Sequence, residues 1–181
     1  MNQRDLEGIS ALVTGASSGI GRAAAEELGR HGAEIVVHGR DAGRGSAVAG
    51  TITAAGGKAR FVAADLTDPD QLDDLVEQAG TVDVLVNNAG FSWFGPTAEL
   101  DVATFDRLFA ANVRAPYFLV GALAPKMART DGASTTTPAT AAIRLAAIIS
   151  HPVRNPRYGS IARPTHSKDA PQLALHRFSL R

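Results

Sequence analysis

Residues Val13-Thr14-Gly15-Ala16-Ser17-Ser18-Gly19-Ile20-Gly21-Arg22 decide how this chain folds. The apolar run Ile9 to Val13 leads into them, and the helix-forming run Ala23-Ala24-Ala25-Glu26-Glu27-Leu28 leads out. Strand, glycine turn and helix N-terminus therefore follow one another directly. The first backbone N–H groups of a helix have no partner inside it, and the helix dipole is positive there. A phosphate anion satisfies both. Glycine lets the backbone approach such an anion, because it has no Cβ and adopts positive φ at little cost. The spacing is G-x-x-x-G-x-G rather than G-x-G-x-x-G, so the pattern takes its meaning from its context. A βα turn that binds nothing is the alternative reading.

The chain has 181 residues, the length of one domain, and 45% of them are hydrophobic, enough for a buried core. Basic and acidic residues balance at 18 each, so the whole chain suggests neither a nucleic-acid nor a membrane partner. There is no cysteine, which excludes disulfides and thiolate chemistry. Met1 to Asp5 lacks the apolar centre of a signal peptide, and no apolar run reaches the ~18 residues of a membrane helix. A cytoplasmic protein is expected, and no metal site.

Outward from the glycine turn the same alternation repeats. A first strand spans about Ile9 to Thr14, and a helix runs from Gly19 to His31 with Gly32 as its stop. A second strand is Glu34 to His38, closed by Gly39-Arg40-Asp41, and a second helix covers Ala42 to Ala55, ended by Gly56-Gly57. The third strand, Ala59 to Ala64, delivers Asp65; Thr67 or Asp68 caps a helix that has Pro69 in its first turn and reaches Ala79. The fourth strand, Val82 to Val86, runs into Asn87-Asn88-Ala89-Gly90. Strands rich in Val, Ile and Ala with helices between them imply a parallel α/β sheet covered on both faces. Ligands of such sheets bind beyond the carboxyl ends of the strands. The glycine turn, Arg40, Asp65 and Asn88 all fall at those ends.

With these residues the chain resembles the short-chain dehydrogenase/reductase family. The resemblance rests on Thr14-Gly15-x-x-x-Gly19-x-Gly21, Asp65-Leu66, Asn87-Asn88-Ala89-Gly90 and Asn112-Val113, and it covers about Gly8 to Ala128. It implies a Rossmann-like doubly wound sheet of order 3-2-1-4 with a fifth strand beyond, and an NAD(P)-dependent oxidoreductase. The reaction implied is hydride transfer between nicotinamide and a small carbonyl or alcohol substrate. It also implies that Gly15, Gly19 and Gly21 form the pyrophosphate turn, which adds Ser17, Ser18 and Ile20 as candidate contacts. By the same resemblance Asp65 bonds the adenine amino group and Leu66 lines its pocket. Asn88, Ala89 and Gly90 hold the fourth strand and touch the adenosine ribose. Asn112 is the active-site asparagine, whose backbone helps to hold a water of the proton relay. Read without the family, Asp65 is equally a helix cap, and Asn87-Asn88 a turn.

The ribose-reading position lies roughly 20 residues beyond the phosphate turn. Gly39 stands where NAD-preferring relatives carry Asp, and Arg40 follows. A guanidinium suits a 2′-phosphate, so NADP(H) is favoured over NAD(H); a solvated loop arginine is the alternative reading. Ser18 pulls the other way, since some NADP-dependent relatives have a basic residue there. Trp93 and Phe94 either line a substrate cleft or cap the core. Asp101 to Arg129 carries apolar residues at helical spacing, among them Phe105, Phe109, Val113, Tyr117 and Leu123, and Pro116 should kink or break it. In the family this region joins subunits, which makes a homo-oligomer an option; packing on its own sheet is the other.

After about Thr130 the composition changes. Residues 1–130 hold 11 basic and 16 acidic side chains, whereas 131–181 hold 7 and 2. The later segment also has five of the nine prolines and only two of the 18 glycines. The chain therefore divides into a dinucleotide-binding unit, 1–130, and an atypical Pro/Arg/Thr-rich segment, 131–181. The family's catalytic Tyr-x-x-x-Lys is not found there. Tyr158 is followed four residues on by Ala162, and before Lys168 Pro164 stands in the tyrosine's place. Leu145 to Ile149 is the best candidate for a fifth strand, with Ser150 after it. A frame change near codon 130 and a degenerate variant both fit this tail. A basic tail for nucleic acid fits less well, because its charges are scattered with few aromatics between them. The rival to an active oxidoreductase is a catalytically inactive dinucleotide-binding module or truncated enzyme.

Overall fold

The computed structural model describes residues 4–127 and the short strand Ala147–Ile148. Five parallel strands, β1 (Ser10–Val13), β2 (Glu34–Gly39), β3 (Lys58–Ala63), β4 (Val84–Asn87) and β5 (Ala147–Ile148), form one sheet of order β3-β2-β1-β4-β5. Helices α1 (Gly19–Arg30), α2 (Ala42–Ala54) and α3 (Pro69–Ala79) make the crossovers. This is the Rossmann-like arrangement expected from the sequence. Of the expected fifth strand, Leu145 to Ile149, the described residues Ala147 and Ile148 pair with Val86 and Asn87. Ser150, Tyr158, Lys168 and the rest of the tail lie outside the described residues.

Alternation along the strands divides the core into two layers. Leu12, Val36, Val62 and Leu85 face α3 and a later helix, meeting Leu72, Leu75, Leu119 and Leu123. Ala11, Val13, Ile35 and Val37 face the other way, onto Ala25 of α1 and Val48 and Ile52 of α2. β4 starts at Val84 rather than Val82 because Asp83 is occupied at the strand entrance. Its carboxylate accepts from the Ser10 amide (2.8 Å) and hydroxyl (3.0 Å), while its own N–H donates to the Ser10 carbonyl.

α2 begins on Asp41, whose carboxylate accepts from the Arg44 amide at 2.9 Å. α3 begins on Asp68, which accepts from the amides of Asp70 and Gln71. Of the two caps the sequence offered there, Thr67 is already engaged with Asp65. α1 stops at Gly32, whose φ of +97° is the left-handed conformation expected of it.

The helical region after Asp101 runs without a gap to Met127 but changes its winding on the way. α4 (Val102–Phe109) passes into a π-helical segment, Ala110–Arg114, and then into α5 (Ala115–Met127). Pro116 does not break the helix: it lies in the first turn of α5, directly after the π segment. Proline has no N–H to return to the carbonyl four residues earlier, and its ring crowds that carbonyl, so the turn widens ahead of it. The packing is split. Ala115, Leu119 and Leu123 are buried on the sheet, but Phe105, Phe109, Val113 and Tyr117 are exposed, Tyr117 by 74%. Trp93 and Phe94 neither cap the core nor line the cleft described below. Both are more than a third exposed, in a segment without regular structure that leaves the sheet after Gly90.

Candidate functional site

The carboxyl ends of β1, β2, β3 and β4 open into a cleft of about 390 Å³. Its floor is the glycine turn between β1 and α1. Gly15 and Gly19 have φ of +65° and +57°, which a side chain would strain. At Gly21 the constraint is space: a Cβ there would lie 2.3 Å from Asn88 Nδ2 and 2.6 Å from the Gly15 carbonyl oxygen. α2, α3 and α4 all start under an aspartate cap, but α1 starts at Ser18 with no side-chain bond and no acid in its first turn. Its first amides therefore face the cleft without an internal partner. An anion-seeking helix start above a glycine cradle fits a pyrophosphate.

Two further locks hold the turn. The Thr14 hydroxyl accepts from the amides of Asn88 and Ala89, each at 3.0 Å, and donates to the Val86 carbonyl. Asn88 Nδ2 returns two bonds, to the carbonyls of Thr14 (3.0 Å) and Gly15 (3.2 Å). On the β2 side, the Gly15 amide donates to His38 Nδ1 and the Ala16 amide to the His38 carbonyl. His38 is buried, and burial pushes its pKa down to about 4.

At the end of β2, Gly39 is packed against Ser17: a Cβ would stand 2.9 Å from the Ser17 hydroxyl oxygen. Arg40 is exposed at the cleft wall and makes no hydrogen bond among the described residues. Asp41 beside it is engaged by Arg44 Nε at 2.9 Å. After β3, Asp65 Oδ1 accepts from the Thr67 amide (2.9 Å) and hydroxyl (2.8 Å). The Thr67 bonds hold the Asp65 carboxyl below the usual carboxylate value, with Arg40 adding a smaller pull. Leu66 is buried in the cleft wall.

At the far end the Asn112 carboxamide is used by the backbone. Nδ2 donates to the Phe91 carbonyl (2.8 Å) and Oδ1 accepts from the Phe91 amide (3.1 Å). That pairing ties the π segment to the loop after β4. Because residue 116 is proline, the Asn112 carbonyl lacks its α-helical donor. Asn87 ends β4 with its carboxamide buried and neither polar atom hydrogen-bonded among the described residues.

Residues 10–137 match the family model described as short chain dehydrogenase. The chain belongs to the short-chain dehydrogenase family. It is 40% identical over 129 residues to an L-rhamnose 1-dehydrogenase (NAD(P)(+)) of Sphingomonas sp. strain SKA58, covering 68% of this chain and 51% of the relative. To a gluconate 5-dehydrogenase of Gluconobacter oxydans strain 621H it is 40% identical over 126 residues, covering 67% and 49%. Among solved structures it resembles a metagenomic short-chain oxidoreductase in complex with NADP, with 45% identity and a TM-score of 0.63 over 67% of this chain and 57% of that one. A 3-oxoacyl (acyl-carrier-protein) reductase of Agrobacterium tumefaciens C58 with NADP bound gives 36% identity and a TM-score of 0.65 over 70% and 50%. The chain spans about half the length of the curated relatives it matches.

In this member of the family twelve of the sequence's candidate residues line one cleft: Gly15, Ser17, Ser18, Gly19, Ile20, Arg40, Asp65, Leu66, Asn88, Ala89, Gly90 and Asn112. Gly21 is the exception, buried under the turn as packing space for Asn88. His38 and Asn87 also line the cleft and were not singled out as site residues. The signal for both was a polar residue closing an otherwise apolar strand. Among the described residues no helix is long and apolar enough to cross a membrane.

Proposed function

We propose that residues 1–130 form a dinucleotide-binding unit that takes NADP(H) in preference to NAD(H). The unit serves an oxidoreductase acting on a small carbonyl or alcohol substrate. One observation carries this reading: α1 starts without a side-chain cap, at the floor of a cleft whose wall includes Arg40, a guanidinium without a hydrogen bond among the described residues. Gly15, Ser17, Ser18, Gly19, Ile20 and Gly21 would hold the pyrophosphate, with backbone N–H groups as donors. Arg40 would take the 2′-phosphate, and Asp41 does not oppose it strongly because Arg44 already neutralises that carboxylate. Asp65 and Leu66 would receive the adenine, and Asn88, Ala89 and Gly90 the adenosine ribose. When bound, the nicotinamide supplies or accepts hydride. Asn112 would act through its backbone, since its carboxamide is spent on Phe91. The NADP held by similar solved structures supports the cofactor choice.

The exposed row Phe105, Phe109, Val113 and Tyr117 favours a homo-oligomer over a monomer, because such a continuous apolar stripe is covered when copies associate. A cytoplasmic location goes with this reading, and neither a nucleic acid nor a membrane is a partner in it.

Fluorescence titration of the full chain with NADPH and NADH tests the proposal. Saturable NADPH binding with much weaker NADH is expected, and Arg40→Asp should weaken NADPH at least tenfold more than NADH. Equal weakening of both would overturn the cofactor preference. No binding of either would overturn the site, and turnover of carbonyl substrates with NADPH separates an enzyme from a binding module.

A further inference from the structure

His38 is a buried titratable residue for which the function proposed above has no role. Its ring lies between two loops that meet only in three dimensions. Nδ1 is 3.3 Å from the amide nitrogen of Gly15, at the start of the glycine turn. Nε2 is 3.1 Å from the carbonyl oxygen of Ala64, the residue before Asp65. An amide can only donate and a carbonyl can only accept, so both bonds together specify one form of the ring: neutral, with the proton on Nε2. The residue's own carbonyl accepts from the Ala16 amide at 2.8 Å. His38 thus takes the first two amides of the turn, one with its side chain and one with its backbone.

That arrangement affects the rest of the turn. Gly15, at φ +65°, has no side chain to restrict it, and its amide orientation sets the direction of the chain toward Ser18 and the start of α1. A free turn of this composition would lose conformational entropy each time it closed on a ligand. A turn fixed beforehand does not.

We propose that His38 is a positioning residue for dinucleotide binding, its Nε2-protonated imidazole joining the pyrophosphate turn at Gly15 to the adenine-side loop at Ala64. This rests on the cleft being a dinucleotide site. The ring contributes an acceptor to one loop and a donor to the other, and preorganises both. Burial favours the neutral form that this geometry requires, and Asp65 is the charged neighbour that acts on the ring in the opposite sense.

The test separates the two bonds. Asn at position 38 places an amide oxygen close to Nδ1 and keeps the acceptor for Gly15, while Gln places an amide nitrogen near Nε2 and keeps only the donor for Ala64. In NADPH titrations of the full chain, His38→Leu and His38→Gln should each weaken binding tenfold or more, and His38→Asn should stay within about threefold of the parent. Equal affinities across the series would overturn the proposal. So would equal losses in all three, which would mark a packing role without the Gly15 bond. If the parent chain binds no dinucleotide, the site itself fails, which is distinguishable from failure of His38 alone. Should the variants not fold, ¹⁵N resonances of the parent's imidazole decide. A bare Nδ1, a protonated Nε2 and a shift of the Nδ1 signal on adding NADPH are expected; a proton on Nδ1, or no response, would overturn the role.

Discussion

The hydroxyl oxygen of buried Thr14 stands 3.0 Å from the amide nitrogen of Asn88, 74 residues away, and accepts its proton. The same oxygen serves the Ala89 amide and donates to Val86, so one side chain closes the junction of β1 and β4. Thr14→Val is nearly the same size but leaves two half-buried donors without an acceptor. A loss of about 3 kcal/mol is expected, from about 1–3 kcal/mol per unsatisfied group. Thr14→Ser keeps the oxygen and should lose much less. Chemical denaturation of both variants checks this, and equal losses would show that the methyl, not the hydroxyl, matters.

The glycines of the turn should respond differently to alanine. At Gly19 the cost is conformational: φ is +57°, but nothing lies within 4 Å of a new Cβ. About 1 kcal/mol is expected. At Gly21 the new Cβ meets the Gly15 carbonyl at 2.6 Å, backbone that cannot move without opening the cradle. Gly21→Ala should cost about 2–3 kcal/mol or more and abolish NADPH binding. Comparable thermal shifts for the two variants would contradict this division of labour.

These positions show which parts of the molecule the sequence reveals. Backbone demands are visible, because glycine spacing, an aspartate cap and Val/Ile runs are local signals; the turn, the cap of α3 and the alternation of strands and helices follow from them, and the family resemblance implies the sheet order. Polar locks are hidden, because Thr14, His38 and Asn112 bond to backbone atoms 21 to 75 residues away, and any polar residue at a strand end looks alike. Pro116 announces a kink or a break, yet the helix runs on and the preceding turn widens. Trp93 and Phe94 look like core or cleft residues, yet the loop that carries them lines the cleft with Phe91 and Ser92 and leaves both of them outside it. The indole of Trp93 lies over Gly95 instead, where a Cβ would come within 2.7 Å of the ring.

Stability should fall in mild acid because of His38. Its pKa is depressed from 6.5 to about 4 in the folded chain, so the unfolded chain takes up the proton first. Its contribution is therefore complete above pH 6.5, declines as pH falls, and is gone below about 4. The depression corresponds to about 3 kcal/mol, at roughly 1.4 kcal/mol per unit. His31 acts in reverse: its bond to Asp5 raises its pKa, so its contribution is full below 6.5 and lost as pH rises through the raised value. Asp41, Asp65, Asp68 and Asp101 are held below 3.8 and lose their contributions only in stronger acid. Denaturant midpoints of the parent and His38→Asn between pH 7 and 4.5 should therefore converge as pH falls. Parallel curves would show that His38 is not the group responsible.

Gly39 and Ser17 should be energetically coupled. The glycine at the end of β2 suits a bulky 2′-phosphate nearby, but its immediate neighbour is protein: a Cβ would lie 2.9 Å from Ser17 Oγ and 3.1 Å from Ser17 Cβ. Gly39→Ala should therefore push Ser17, and with it the glycine turn, at about 1–2 kcal/mol in stability. Ser17→Ala removes only the nearer atom and should relieve part of that cost, whereas Ser17→Gly removes both. In a double-mutant cycle the pair Ser17→Gly and Gly39→Ala should show about 0.5–3 kcal/mol of favourable coupling, the range for residues in contact. The same coupling bears on cofactor engineering. Placing Asp at position 39 to attract NADH should fail in the parent background and improve when Ser17 is also reduced to glycine. If Gly39→Asp acquires NADH binding without the second change, Ser17 yields freely, and the glycine is there for the phosphate alone.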